Sequence, residues 1–154
     1  MKPYQSIVKI LKTNSISYTE LDHDPVYTSE EAAKVRGMSL NAGAKSLLLK
    51  VKDKFILVVL AGSEKLDSKK LKKMLGARDI RFATPAEVKD KMGCIVGACY
   101  PFGSVAHLET YLDKSLLAEK VVSFNPGLHH KSIKIKLEDY LEIEKPITVD
   151  ISAY

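Results

Sequence analysis

"AKSLLLKVKDKFILVVLAG", residues 44–62, decides the fold: two apolar runs flank a short polar connection around Lys52-Asp53-Lys54. Two strand-like runs joined so tightly read as an antiparallel hairpin. The second run is apolar at both parities, so it belongs in the middle of a sheet, covered on both sides. Side chains along a strand alternate between faces, which groups Lys45 with Leu47, Leu49 and Val51. Ser46, Lys50 and Lys52 fall on the opposite parity, where an exposed face would put them. Lys45 is therefore a cation on an apolar face. It must find a partner, reach water along its stem, or lose its proton. At the start of a strand, where the sheet frays, snorkelling and a functional role both remain open to it.

On the N-terminal side, residues 3–13 carry Tyr4, Ile7, Ile10 and Leu11 at helical spacing, with Pro3 in the first turn. "ISYTELDH" alternates as a strand, "DHDPVYT" turns at Pro25, and "TSEEAAKVRG" is a helix opened by a Thr28–Glu31 capping box and closed by Gly37. On the C-terminal side, "LDSKKLKKMLG" reads as a helix capped at Asp67 or Ser68, and "DIRFA" as a short strand. "TPAEVKDKMG" repeats the capping pattern with Thr84, Pro85 and Glu87. Then come strand-like "VAHLETYL", "KVVSFN" and "SIKIKL", and a short helix "LEDYLEIE". This irregular mixture predicts an α+β fold, a mixed, strongly curved, barrel-like sheet surrounded by helices, rather than a doubly wound one. No interior linker divides the chain, so residues 1–154 read as one domain.

With 45% hydrophobic and 28% charged residues, the composition is that of a globular protein. The net charge of +5 modestly favours a polyanionic partner. The densest basic cluster, Lys65, Lys69, Lys70, Lys72 and Lys73, has the bland alternative of a solvated helix face. The N-terminus lacks the apolar core and cleavage pattern of a secretion signal, so a cytoplasmic location is the default. The uncharged stretch from Met92 to Leu108 contains Pro101 and three glycines, which argues against a membrane helix.

The serine-hydrolase elbow, the Walker loop and the dinucleotide fingerprint are all missing. Cys94 and Cys99 fit neither zinc-knuckle nor redox C-x-x-C spacing and read as reduced thiols. None of His23, His107, His129 and His130 has the helical pairing a hydrolytic zinc site favours, so no metal or other cofactor is expected. "GACYPFG", residues 97–103, is more suggestive. Its glycines permit close backbone approach, and loop N–H groups of this kind can stabilise an oxyanion; a bulged strand or sheet corner would use the same residues.

Five stretches taken together, "HDPVYTSEEAA" (23–33), "AKSLLLK" (44–50), "LAGSEKLDSKKLKKMLG" (60–76), "RFATPAEV" (81–88) and "GACYPFG" (97–103), resemble the YbaK/ProX family. These are free-standing aminoacyl-tRNA deacylases related to the prolyl-tRNA synthetase editing domain. The resemblance implies that Lys45 lies in the active-site pocket and that the G-x-x-x-P loop, Gly97 to Pro101, borders the aminoacyl group. The implied reaction is metal-independent hydrolysis of the ester on a mischarged tRNA, with an aminoacyl-tRNA as partner and a synthetase as a possible second one. A membrane is not expected. Candidate pocket walls are Tyr27, Thr28, Ser46 and Cys99, joined by His129 and His130. Lys69, Lys70, Lys72 and Lys73 are the candidate tRNA contacts. Ser46 stands where alanine-clearing relatives often have asparagine and cysteine-clearing ones threonine, so alanine, cysteine or serine on tRNA(Pro) are the expected substrates. The competing readings are a non-catalytic module that binds tRNA 3′ ends or a synthetase, and a fold recruited for an unrelated small ligand.

Overall fold

The computed structural model describes residues 1–153. In chain order the elements are α1 (Pro3–Thr13), β1 (Thr19–Asp22), α2 (Ser29–Arg36), β2 (Ala44–Val51), β3 (Lys54–Ala61), β4 (Lys65–Leu66), α3 (Ser68–Leu75) and β5 (Ile80–Phe82). They continue with α4 (Pro85–Met92), α5 (Gly103–Ala106), β6 (Glu109–Asp113), β7 (Val121–Phe124), β8 (Lys131–Lys136), α6 (Leu137–Glu144), β9 (Ile147–Val149) and β10 (Ser152–Ala153). The hairpin of β2 and β3 forms as expected, antiparallel from Ala44 opposite Ala61 to Val51 opposite Lys54. It is the centre of a five-stranded sheet in the order β5-β2-β3-β6-β9, with β3, β6 and β9 parallel. A second sheet, β1-β8-β7, is antiparallel throughout. A single parallel bridge between Gly43 and Ser123 links the two. The sheet is thus mixed but not closed into a barrel.

Both faces of the hairpin are covered. Leu48, Leu57 and Val59 pack with Ile7 and Leu11 of α1, Val88 and Met92 of α4, and Phe102, Phe124 and Ile133. Leu49, Val51, Ile56, Val58 and Leu60 pack on the other side with Leu71 of α3, Tyr111 and Ile151. The even-numbered side of β2 is therefore not the solvent face that its lysines suggested. Leu48 is buried there, and Lys50 lays its ammonium over the Phe55 ring at 5.7 Å. Long lysine stems can cover apolar surface, which is why their presence misstates exposure.

The helix ends follow their local chemistry. Thr28 and Thr84 each accept the N–H of the glutamate three residues on, at 3.1 and 3.2 Å, and each glutamate returns to the cap's own N–H. Asp67, rather than Ser68, caps α3. "VAHLETYL" is not one strand. Its first half belongs to α5, which His107 ends at φ +56°, and the ladder starts only at Glu109. Gly103 explains the tight fit of α5 on β6, since a Cβ there would stand 1.8 Å from the Thr110 hydroxyl.

Candidate functional site

One edge of β2 is occupied along its whole length by β3. The other edge is not. β5 pairs only with Leu49 to Val51, and Ser123 of β7 bridges only Gly43, leaving residues 44–48 between two partners. A cavity of about 470 Å³ fills that gap. Its floor is the strand edge around Lys45 and Ser46, and its walls are the end of β5, the start of α2 and the loop at Val96 to Cys99. Strand alternation fixes which backbone groups look into it. The Leu48 carbonyl accepts from Ala83 N–H at 2.9 Å and Lys52 N–H donates to the Asp79 carbonyl at 2.8 Å, so even-numbered residues face this edge. Ser46 lies between the two partners, and its N–H and C=O point into the gap.

Lys45 does not snorkel freely. Its half-buried ammonium donates to the backbone carbonyl of Glu64. Burial pushes its pKa below the ordinary lysine value, while the charges of Glu30 and Glu64 pull the other way and Lys65 adds to the depression. Next to it, Ser46 Oγ is buried without a hydrogen-bond partner. Buried hydroxyls are nearly always satisfied, so this orphan, on a residue that lines the cavity, stands out from the rest of the strand.

Opposite the strand, residues 95–98 form a turn closed by Ala98 N–H donating to the Ile95 carbonyl at 2.9 Å. Gly97 sits at its third position with φ +96°, the conformation a type II turn demands of glycine. A Cβ there would also meet His129 Nε2 and the Tyr27 carbonyl at 3.4 Å. His129 braces this wall: its Nε2 lies 3.3 Å from the Val96 carbonyl, and its ring is 4.6 Å from that of Tyr27. Burial, helped by His130, lowers the His129 pKa and favours the neutral ring. Thr28 lines the cavity, but its hydroxyl is engaged with Glu31, whose carboxylate also accepts Tyr27 N–H at 3.1 Å.

The structure thus brings Tyr27, Thr28, Lys45, Ser46, Gly97 and Cys99 around one cavity. It leaves other sequence candidates outside the lining. Pro101 is buried behind the loop, where its carbonyl accepts the Tyr140 hydroxyl at 2.6 Å. His130 contributes its backbone carbonyl to His23 N–H at 3.0 Å. Lys69, Lys70, Lys72 and Lys73 ride on α3, which is not a cavity wall, and Lys70 reaches the Ser152 carbonyl at 2.9 Å and Asp150 at 3.5 Å. Among the described residues no group of three His, Cys, Asp or Glu side chains is placed to share a metal ion.

Of the lining residues that the sequence reading did not single out, three carry chemistry or an exposed ring. Phe82 presents a 60% exposed ring at the end of β5, and Asn125 closes the far wall. Arg36 is the third. Only 6% exposed, it donates to Ser132 Oγ at 2.8 Å, Ser123 Oγ at 3.0 Å and Asn125 Oδ1 at 3.2 Å, all neutral acceptors. Burial without a carboxylate partner lowers its pKa to about 10. Its signal was present, because Arg36 follows the buried Ala32 by four residues and so shares its helix face. The cavity therefore combines two cations, an orphan hydroxyl and a free strand amide. That set can hold and polarise an ester or a phosphate.

A family model described as the aminoacyl-tRNA editing domain matches residues 23–143. The Multifunctional Ser/Thr-tRNA deacylase ProXp-y of Escherichia coli (strain K12) is 32% identical over 153 residues, covering 96% of this chain and 91% of that one. The Prolyl-tRNA editing protein ProX of Acetoanaerobium sticklandii is 29% identical over 151 residues, covering 94% of this chain and 92% of that protein. In fold, the chain superposes with a TM-score of 0.86 on a crystal structure of a candidate trans-editing enzyme for prolyl tRNA synthetase, at 24% identity, covering 100% of this chain and 99% of the other.

Proposed function

Because this chain belongs to the aminoacyl-tRNA editing domain family, we propose that it hydrolyses the ester joining a small, wrongly attached amino acid to the terminal adenosine of a tRNA, acting in trans. One observation carries the reading: Lys45, Ser46 and the Gly97 turn, far apart in sequence, line a single cavity at a break in the sheet. Water is the nucleophile. Its oxygen bonds to the ester carbonyl carbon, the bond to the ribose oxygen breaks, and the released proton ends on that ribose oxygen. Lys45 and Ser46 N–H supply positive potential where the carbonyl oxygen gathers charge. The substrate α-ammonium is repelled by Lys45 and Arg36, so it turns toward the loop wall, away from both. The exposed rings of Tyr27 and Phe82, 65% and 60% exposed, suit stacking with the terminal base.

We assign serine as the preferred aminoacyl group, ahead of alanine and cysteine, because Ser46 Oγ lacks a partner that a seryl hydroxyl would supply. A site that hydrogen-bonds a substrate hydroxyl rejects analogues lacking it far better than an apolar pocket separates one methylene. The name of the Escherichia coli relative, a Ser/Thr-tRNA deacylase, points the same way. The carrier we propose is tRNA(Pro), in keeping with the name of the ProX relative. Lys69, Lys72 and Lys73 of α3 are proposed to meet phosphates farther along the acceptor arm. Neutralising them should flatten the salt dependence of tRNA binding by about one unit of log-log slope per lost contact.

The test is a deacylation time course on tRNA(Pro) charged separately with serine, alanine, cysteine and proline. Rapid loss of the seryl ester with the prolyl ester spared is the expected result. Binding of every species without turnover would replace catalysis with a tRNA-end binding role.

A further inference from the structure

Two thiols sit at the base of the Gly97 turn. Cys94 Sγ and Cys99 Sγ are 3.7 Å apart, and both are free. The turn between them, Ile95 to Ala98, is closed by its own hydrogen bond, so Cys94 and Cys99 form the next pair outward. Bonding requires the sulfurs to close to about 2.0 Å, a side-chain movement rather than a refolding.

The two thiols are unlike. Cys94 is packed in the main core, and its neighbour and burial hold its pKa far up. Cys99 lines the cavity; the hydrogen bond from Cys94 draws its pKa down against the opposing effect of burial, and the Gly97 N–H adds to the lowering. The next residues, Ile95 and Val96, are 69% and 52% exposed, so the turn meets solvent. One sulfur is thus positioned to be oxidised first and the other to resolve it.

We infer that Cys94 and Cys99 are a redox-modification site, forming a reversible disulfide with peroxide that slows the deacylation proposed above. The Cys99 thiol gives up its proton and the thiolate attacks one peroxide oxygen; the O–O bond breaks, leaving a sulfenic acid, and the departing hydroxide takes up that proton as water. Cys94 sulfur then attacks Cys99 Sγ, the S–S bond forms, and the departing hydroxide takes the Cys94 proton as a second water. In the product Cys99 sulfur is drawn away from the cavity wall and from the Gly97 N–H, and the turn is locked in that altered setting. The consequence for catalysis rests on the functional reading above; the bond itself does not.

The experiment treats the purified protein with hydrogen peroxide and follows intact mass, free thiols and seryl-tRNA(Pro) hydrolysis. Expected are a loss of about 2 Da, disappearance of both thiols and an at least tenfold fall in rate, all reversed by dithiothreitol. Cys94→Ser should keep the untreated rate and show no 2 Da loss. Oxygen adducts on Cys99 without the 2 Da loss, a disulfide-linked dimer, or an internal disulfide with an unchanged rate would each overturn the inference. If the untreated protein hydrolyses no charged tRNA, the functional reading fails while mass and thiol count still decide the bond.

Discussion

The two halves of β2 obey opposite rules. From Leu49 to Val51 the strand is paired on both edges, and Leu49 and Val51 are buried in the second core. From Ala44 to Leu48 one edge faces the cavity, a lysine sits among apolar residues, and a hydroxyl is buried without a partner. The same strand thus closes its hydrogen bonding where it lies between two strands and leaves it open where it borders the cavity. An unsatisfied buried group weakens a fold, so the open half of the strand gives up stability that the paired half keeps.

This contrast can be broken most severely in the paired half. Leu49→Ala should lower stability by about 2–5 kcal/mol through the cavity it leaves, measured by denaturant unfolding, with the per-molecule rate of the folded fraction kept. In the open half the order reverses. Lys45→Ala should cost on the order of 100- to 1,000-fold in deacylation with little change in unfolding midpoint. Lys45 also predicts a pH profile. Its charged form is the useful one and burial lowers its pKa, so activity should fall as pH rises through a value below that of an ordinary lysine. Lys45→Arg, which does not titrate in that range, should lose this alkaline limb in pH–rate measurements corrected for spontaneous hydrolysis. Ser46→Ala sharpens the comparison further. It removes an unpartnered hydroxyl, so stability should hold or rise slightly while the seryl-to-alanyl rate ratio drops about tenfold or more. Thr84→Ala, at a residue that is not itself part of the lining, should cost only about 0.5–2 kcal/mol of stability from the lost cap, with a much smaller change in rate than Lys45→Ala.

Local chemistry was legible in the sequence, and long-range closure was not. The hairpin, the capping boxes at Thr28 and Thr84 and the odd placement of Lys45 all follow from residues a few positions apart. The family resemblance supplied the grouping of Lys45 with the Gly97 loop. No periodicity could reveal that β5 stops at Leu49 and that Ser123 reaches only Gly43, because those limits come from pairings across the whole chain. The same blindness hid Arg36, which a charged helix disguises as a surface residue, and made the lysines of β2 suggest a solvent face where Leu48 is buried. "VAHLETYL" misled for another reason. His107 adopts a left-handed conformation that ends a short helix, and the apolar pattern of Val105 and Leu108 serves helix and strand alike.

The most direct test of the division within β2 is to measure thermal unfolding and single-turnover hydrolysis of seryl-tRNA(Pro) side by side for Leu49→Ala and Lys45→Ala. The account predicts a crossed outcome: Leu49→Ala melts well below wild type yet cleaves at a near-normal rate while folded, and Lys45→Ala melts normally yet scarcely cleaves. A Lys45→Ala protein that melts normally and cleaves at the wild-type rate would contradict it.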